Sequence, residues 1–253
     1  MSLLASSSTL YGKGVFTTVA ILDGEPFLWA KHWLRLQRDA NKINIDLGEI
    51  SAAVVRKKLG EALDSNESEA RRARITLADQ RQSEIWPVLG EPDQKTDLRI
   101  IVGARRAIPE NFELTVSPYP INSRSPLAGI KSCNYLENIL TLNEAKRRGF
   151  DEAVRLNENG KITSAAMANL FWLRESVLFT PSLTTGCLAG TTREFVLENL
   201  ECREVEVGIE ELNSADAIYL TSAGLGTTSV AEYNGRKLRE PSHPITKLIT
   251  TNK

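Results

Sequence analysis

The chain has 253 residues, 42% of them hydrophobic and 25% charged, and a formal net charge of −1. That is an ordinary composition for a soluble globular protein, long enough for one large or two modest domains. It gives no global field favouring nucleic acid or an anionic membrane surface, and no apolar run approaches the roughly 20 residues that a bilayer-spanning helix needs. The three cysteines (Cys133, Cys187, Cys202) form no CxxC and no metal-ligand pattern, and only two histidines are present. The chemistry therefore points away from a disulfide scaffold, a His-rich metal centre and a Ser-His-Asp triad. Met1 to Ser8 has no basic segment of the kind that opens a signal peptide, so a cytoplasmic location is expected.

Residues 14–22 are rich in β-branched and apolar types and predict a strand. Asp23-Gly24 is a hairpin turn signal, with a returning strand over 25–29. Apolar residues Trp33, Leu34, Leu36, Ala40 and Ile43 recur at helical spacing, and Ile50, Val54, Leu59 and Leu63 repeat the pattern over 49–63. Residues 64–68 read as a polar break. Strands are expected over 73–77 and 98–102, flanking a loop with Pro87, Gly90 and Pro92. A connector over 103–111, marked by Gly103 and Pro109, divides the chain into an N-terminal α+β domain (1–106) and a C-terminal domain (107–253) that carries Lys131.

A strand at 114–116 opens the second half. Pro118, Pro120 and Pro126 stiffen the approach to Lys131. A helix over 134–148 ends at Gly149, with Lys146, Arg147 and Arg148 in its last turn, where the macrodipole favours cations. Strands are expected over 153–156, 161–163, 169–173, 177–180 and 217–220, and a helix over 191–202. Lys131 follows a glycine and an apolar pair at a loop–helix junction. A lysine desolvated there would be partly a free amine, able to form a Schiff base, though a solvated surface lysine fits the same local pattern.

Neighbouring motifs weigh for the first reading. Lys131, Asn134-Tyr135-Leu136, Gly160 to Phe171 and Gly190-Thr191-Thr192-Arg193 follow one another in an order and spacing that resemble the class IV aminotransferase family. The resemblance covers roughly residues 10–230. Gly14-Val-Phe-Thr17-Thr18 and Ala168-Asn-Leu-Phe-Trp172 resemble the family's 4-amino-4-deoxychorismate lyases; aminotransferase relatives usually carry Phe-Glu-Thr or Phe-Glu-Gly in the first of these. The resemblance implies a two-domain α+β enzyme of fold type IV, like the D-amino acid aminotransferases. It also implies pyridoxal 5'-phosphate as cofactor between the domains, a small-molecule substrate and a homodimer, with no membrane or nucleic-acid partner.

Pyridoxal phosphate asks a protein for a lysine, a dianion site and a partner for the pyridine nitrogen. The resemblance makes Lys131 the lysine and Tyr135 the neighbour of the cofactor's 3-oxygen. Arg35, in His32-Trp-Leu-Arg35-Leu36, would contact the phosphate. Thr191 and Thr192 stand at an expected helix N-terminus, which suits a phosphate, and Ser222 follows a strand and could complete the cradle. Thr18 is implied to assist the proton and the leaving group. At the nitrogen's partner the chain departs from its family: Ser164 stands where relatives carry Glu. A serine can hydrogen-bond a ring nitrogen but cannot keep it protonated. That handicaps transamination more than β-elimination of a good leaving group. Three readings follow: the lyase, a branched-chain or D-amino acid type aminotransferase, and a non-catalytic member acting as a binding protein.

Overall fold

In the computed structural model the described residues are 5–65, 71–83, 96–104, 106–239 and 243–249; the expected loop around Pro87, Gly90 and Pro92 lies outside them. The chain divides into two compact units, one of residues 1–105 with Ile130–Tyr135, the other of 106–129 with 136–253. The boundary at 105 is close to the expected connector. Lys131, however, belongs by its contacts to the first unit, not to the C-terminal domain expected to carry it.

The first unit opens with β1 (Ala5–Ser6), α1 (Ser7–Tyr11), β2 (Gly14–Leu22), β3 (Glu25–Pro26), α2 (Trp29–Lys42) and α3 (Ala52–Asp64). It closes with β4 (Arg72–Asp79), β5 (Gln82–Ser83) and β6 (Thr96–Gly103). Strands β3-β2-β4-β6 form an antiparallel sheet. Alternation puts Val15, Val19, Ile21, Ala73, Ile75 and Leu77 on one face, where they pack with Leu36 and Ala40 of α2 and Val55 and Leu59 of α3. Ser51 starts α3 by accepting from the Val54 N–H. The returning strand is shorter than expected, because Leu28 takes a left-handed conformation (φ 55°) and turns the chain into α2. Leu34, expected in the apolar stripe of α2, is 65% exposed.

The second unit contains β7 (Glu113–Val116), α4 (Leu136–Arg147), β8 (Glu152–Leu156), β9 (Ile162–Ala165), β10 (Asn169–Arg174) and β11 (Val177–Pro181). There follow α5 (Thr191–Asn199), β12 (Arg203–Val205), α6 (Glu210–Asn213), β13 (Ala217–Ser222), β14 (Gly226–Ser229), β15 (Glu232–Tyr233), β16 (Arg236–Lys237) and α7 (Ile245–Leu248). Sheets of order β12-β11-β10-β13-β14 and β16-β15-β7-β8-β9 enclose a core of Leu114, Val154, Ile162, Leu170, Trp172 and Leu220. On the far face of the first sheet, Phe171, Leu173 and Tyr219 pack with Val196 of α5 and Ile245 of α7. Helix α5 stops before the expected residue 202. Leu200 turns extended (φ −134°, ψ 142°), so that it and Cys202 reach that core and β12 can run parallel to β11. Among the described residues no helix is long and apolar enough to cross a membrane.

Candidate active site

In the first unit, residues 131–133 run along the free edge of β2. The Phe16 N–H donates to the Lys131 carbonyl at 2.9 Å and the Cys133 N–H to the Gly14 carbonyl at 2.8 Å. Glycine permits this approach, since a Cβ on Gly14 would lie 2.8 Å from Cys133 Sγ. The pairing sets Lys131 opposite Phe16, and Lys131 Nζ lies 4.6 Å from the centre of the Phe16 ring and 4.7 Å from that of Tyr135. Nζ donates to the Tyr135 hydroxyl at 3.2 Å, and the Tyr135 ring meets Phe16 edge-on. Arg74 stacks on the same Phe16 ring at 3.5 Å.

This setting disfavours an ammonium. Burial lowers the Lys131 pKa to about 7, helped by the charges of Arg35 and Arg74 and opposed by Asp39. The Asp39 carboxylate also accepts the Lys131 backbone N–H at 3.0 Å, anchoring the segment. Thr18 is half-buried and, two residues from Phe16 on β2, lies on the same face of the sheet as Phe16.

Arg35 is buried on the opposite, helix-facing side. Its Nη2 donates to the Thr17 hydroxyl at 2.8 Å, and Thr17 Oγ1 lies 2.6 Å from His32 Nδ1. Of the Thr17-Thr18 pair, then, the first threonine is the one tied to Arg35. Sequence reasoning missed Thr17 and Asp39 and gave His32 no role. The signal was available: His32, Arg35 and Asp39 fall at i, i+3 and i+7, one stripe of α2 that also buries Leu36 and Ala40.

In the second unit, Ser164 sits buried on β9, paired in register with Arg155 of β8, whose guanidinium donates to the Pro120 carbonyl at 3.0 Å. The buried acid of this unit among the described residues is Glu152. It accepts the N–H groups of Ala153, Ala166 and Met167 and so fixes the turn between β9 and β10. Burial pushes its carboxyl up to about 7, against those hydrogen bonds and Arg106.

Thr191 and Thr192 are buried in the first turn of α5, whose N-cap is Gly190. The close approach requires glycine: a Cβ there would stand 1.8 Å from Asn169 Oδ1. Asn169 itself donates to the Leu188 carbonyl at 2.8 Å. Asn169, Thr221 and Thr227 are successive cross-strand neighbours of β10, β13 and β14. The hydroxyls of Thr221 and Thr227 are buried without a hydrogen-bond partner. Buried polar atoms of that kind call for a ligand or water, and the same sheet packs against α5, a helix whose first N–H groups suit an anion. Ser222, the residue expected here, is half-buried at the end of β13 beside Thr221.

Residues 14–233 match the family model of class IV aminotransferases. The chain belongs to that family. Its α+β fold is the fold-type-IV architecture that the motifs implied. The Bacillus subtilis aminodeoxychorismate lyase is 28% identical over 223 residues, 85% of this chain and 76% of that protein. The Escherichia coli branched-chain-amino-acid aminotransferase is 34% identical over 130 residues, 49% of this chain; the match spans only 42% of that relative. The crystal structure of a Brucella abortus aminotransferase bound to pyridoxal phosphate superposes with a TM-score of 0.83 at 23% identity, covering 96% of this chain and 89% of that one.

Proposed function

We propose that this family member is a pyridoxal-phosphate-dependent lyase that converts 4-amino-4-deoxychorismate to 4-aminobenzoate and pyruvate, a step toward folate. The residues present fit the cofactor: an amine with a pKa of about 7 at Lys131, a buried arginine at Arg35, and orphaned hydroxyls at Thr221 and Thr227. Lys131 would hold the cofactor's carbonyl carbon and Tyr135 would face its 3-oxygen. Arg35, Thr191, Thr192 and Ser222 would hold the phosphate, and Ser164 the pyridine nitrogen. When bound, the cofactor supplies an electrophilic carbon for an amine and an electron-withdrawing ring.

The reaction breaks a ring C–H bond and the adjacent ring C–O bond. The proton ends on the methylene carbon of the departing enolpyruvate, so no oxidant or water is consumed. Lys131, poised near neutrality, is suited to take that proton and give it back. Tyr135, at 3.2 Å, orients the amine. Thr18, on the Phe16 face of β2, would hydrogen-bond the departing group.

Ser164 is the observation that carries the lyase reading. The residue that the family resemblance sets at the pyridine nitrogen would here be a neutral hydroxyl, Ser164, beside Arg155, and the buried acid of this unit among the described residues, Glu152, is engaged by three backbone N–H groups. A ring nitrogen left unprotonated suits the elimination of a good leaving group better than amino transfer. A match to a lyase over 85% of this chain is consistent with the same reading, although branched-chain aminotransferase relatives match over 90% and 94% of it. The second reading, a branched-chain aminotransferase, has the higher identity over a shorter stretch in its favour. Purified protein supplied with pyridoxal phosphate separates them: the lyase releases pyruvate and 4-aminobenzoate in equal amounts, whereas the aminotransferase consumes an amino donor and a 2-oxo acid. A cytoplasmic homodimer completes the proposal, with the oligomer testable by light scattering.

A further inference from the structure

We propose that Thr17 and His32 form a positioning relay that fixes the Arg35 guanidinium for the cofactor's phosphate, and so set the preference for phosphorylated over unphosphorylated pyridoxal. The inference rests on the assignment of Arg35 to the phosphate and is independent of the reaction catalysed. Thr17 is a fully buried polar residue on the face of β2 that otherwise presents Val15, Val19 and Ile21 to the helices. A hydroxyl has one proton to give. Arg35 Nη2, 2.8 Å away, can only donate, so Thr17 accepts there. Its oxygen also lies 2.6 Å from His32 Nδ1, a bond whose donor is set by the imidazole tautomer. The setting of the His32 imidazole disfavours the charged form. Its pKa is held well below the ordinary value by burial, and further by Arg35 and Lys131.

Arg35 donates to Thr17, and Thr17 and His32 share the second hydrogen bond. The two bonds hold the Thr17 side chain in place and favour one orientation of the guanidinium. An arginine oriented before binding gives up less side-chain freedom when it grips an anion. The chemistry of position 17 also matters. A hydroxyl, unlike a carboxylate, orients the guanidinium without placing a second charge beside it.

The test titrates apoprotein separately with pyridoxal phosphate and with pyridoxal, because both use Lys131 and only one carries a phosphate. Thr17→Val should weaken pyridoxal phosphate by about tenfold, the worth of one hydrogen bond to a charged group, and leave pyridoxal within about twofold. Thr17→Ser, which keeps the hydroxyl, should restore the wild-type ratio. Should Thr17→Val not fold, His32→Leu breaks the relay from its other end and carries the same expectation. Equal weakening of both ligands, or of neither, overturns the relay. Arg35→Gln run alongside separates the two levels. If it too leaves the ratio unchanged, the phosphate assignment falls; if it alone collapses the ratio, only the relay does.

Discussion

Replacing Arg74 by Gln should raise the pKa of Lys131. Both side chains lie against the Phe16 ring, Arg74 Cζ at 3.5 Å and Lys131 Nζ at 4.6 Å from its centre. The two cations are therefore at most about 8 Å apart, where an effective dielectric of about 20 gives a repulsion of about 2 kcal/mol. At physiological ionic strength the Debye length is also about 8 Å, which cuts the interaction to somewhat under 1 kcal/mol, or about half a pH unit. With its pKa near 7, Lys131 is about half free amine at neutral pH, against about 0.03% for a lysine at its ordinary value, a difference of about 1,500-fold. Competitive amine labelling of the apoprotein across pH 5–10, read by mass spectrometry at Lys131, measures the midpoint directly. Wild type should titrate near 7 and Arg74→Gln about half a unit higher. A wild-type midpoint near 10, or one that falls in the variant, refutes the electrostatic account.

Asp39→Asn removes a charge that raises the same pKa, so the labelling midpoint should move down. Gly190→Ala drives a methyl onto Asn169 Oδ1 and should destabilise by about 1–3 kcal/mol while weakening cofactor binding, both readable by thermal melts with and without pyridoxal phosphate. Glu152 has a folded pKa raised to about 7, so its contribution to stability is fully present below its unfolded value near 4.5 and is lost as pH rises through about 7. The stability difference between wild type and Glu152→Gln should therefore shift against the wild type between pH 5 and pH 8 in urea titrations; a flat difference contradicts that. Ser164→Glu should speed conversion of bound cofactor to its amine form by an amino donor, followed by the loss of its colour. No change would mean that this position does not decide between the two reactions.

Much of the fold was legible because its signals are local. The β-branched and apolar run of 14–22, the turn at Asp23-Gly24 and the helix stop at Gly149 all act within a few residues, and each element forms close to where it was expected. What escaped the sequence depends on contacts distant along the chain. The place of Lys131 in the first unit is fixed by pairing with β2, more than a hundred residues earlier. Strands β15 and β16, two residues each, are too short for any periodicity to mark them. At the candidate site, motif order singled out Lys131, Tyr135, Arg35 and the start of α5. It pointed to Thr18 as the threonine that matters. Strand alternation turns Thr17 toward α2 and Arg35 and leaves Thr18 on the face of Phe16, a distinction that follows once β2 is known to be covered by a helix on one side. The orphaned hydroxyls of Thr221 and Thr227 required the register of three strands.

The central claim is tested most directly by adding 4-amino-4-deoxychorismate to purified protein saturated with pyridoxal phosphate and following 4-aminobenzoate and pyruvate together. The account predicts that both appear at equal rates and that Lys131→Ala abolishes both. Turnover that survives Lys131→Ala, or a cofactor-loaded wild type that releases neither product, would contradict it.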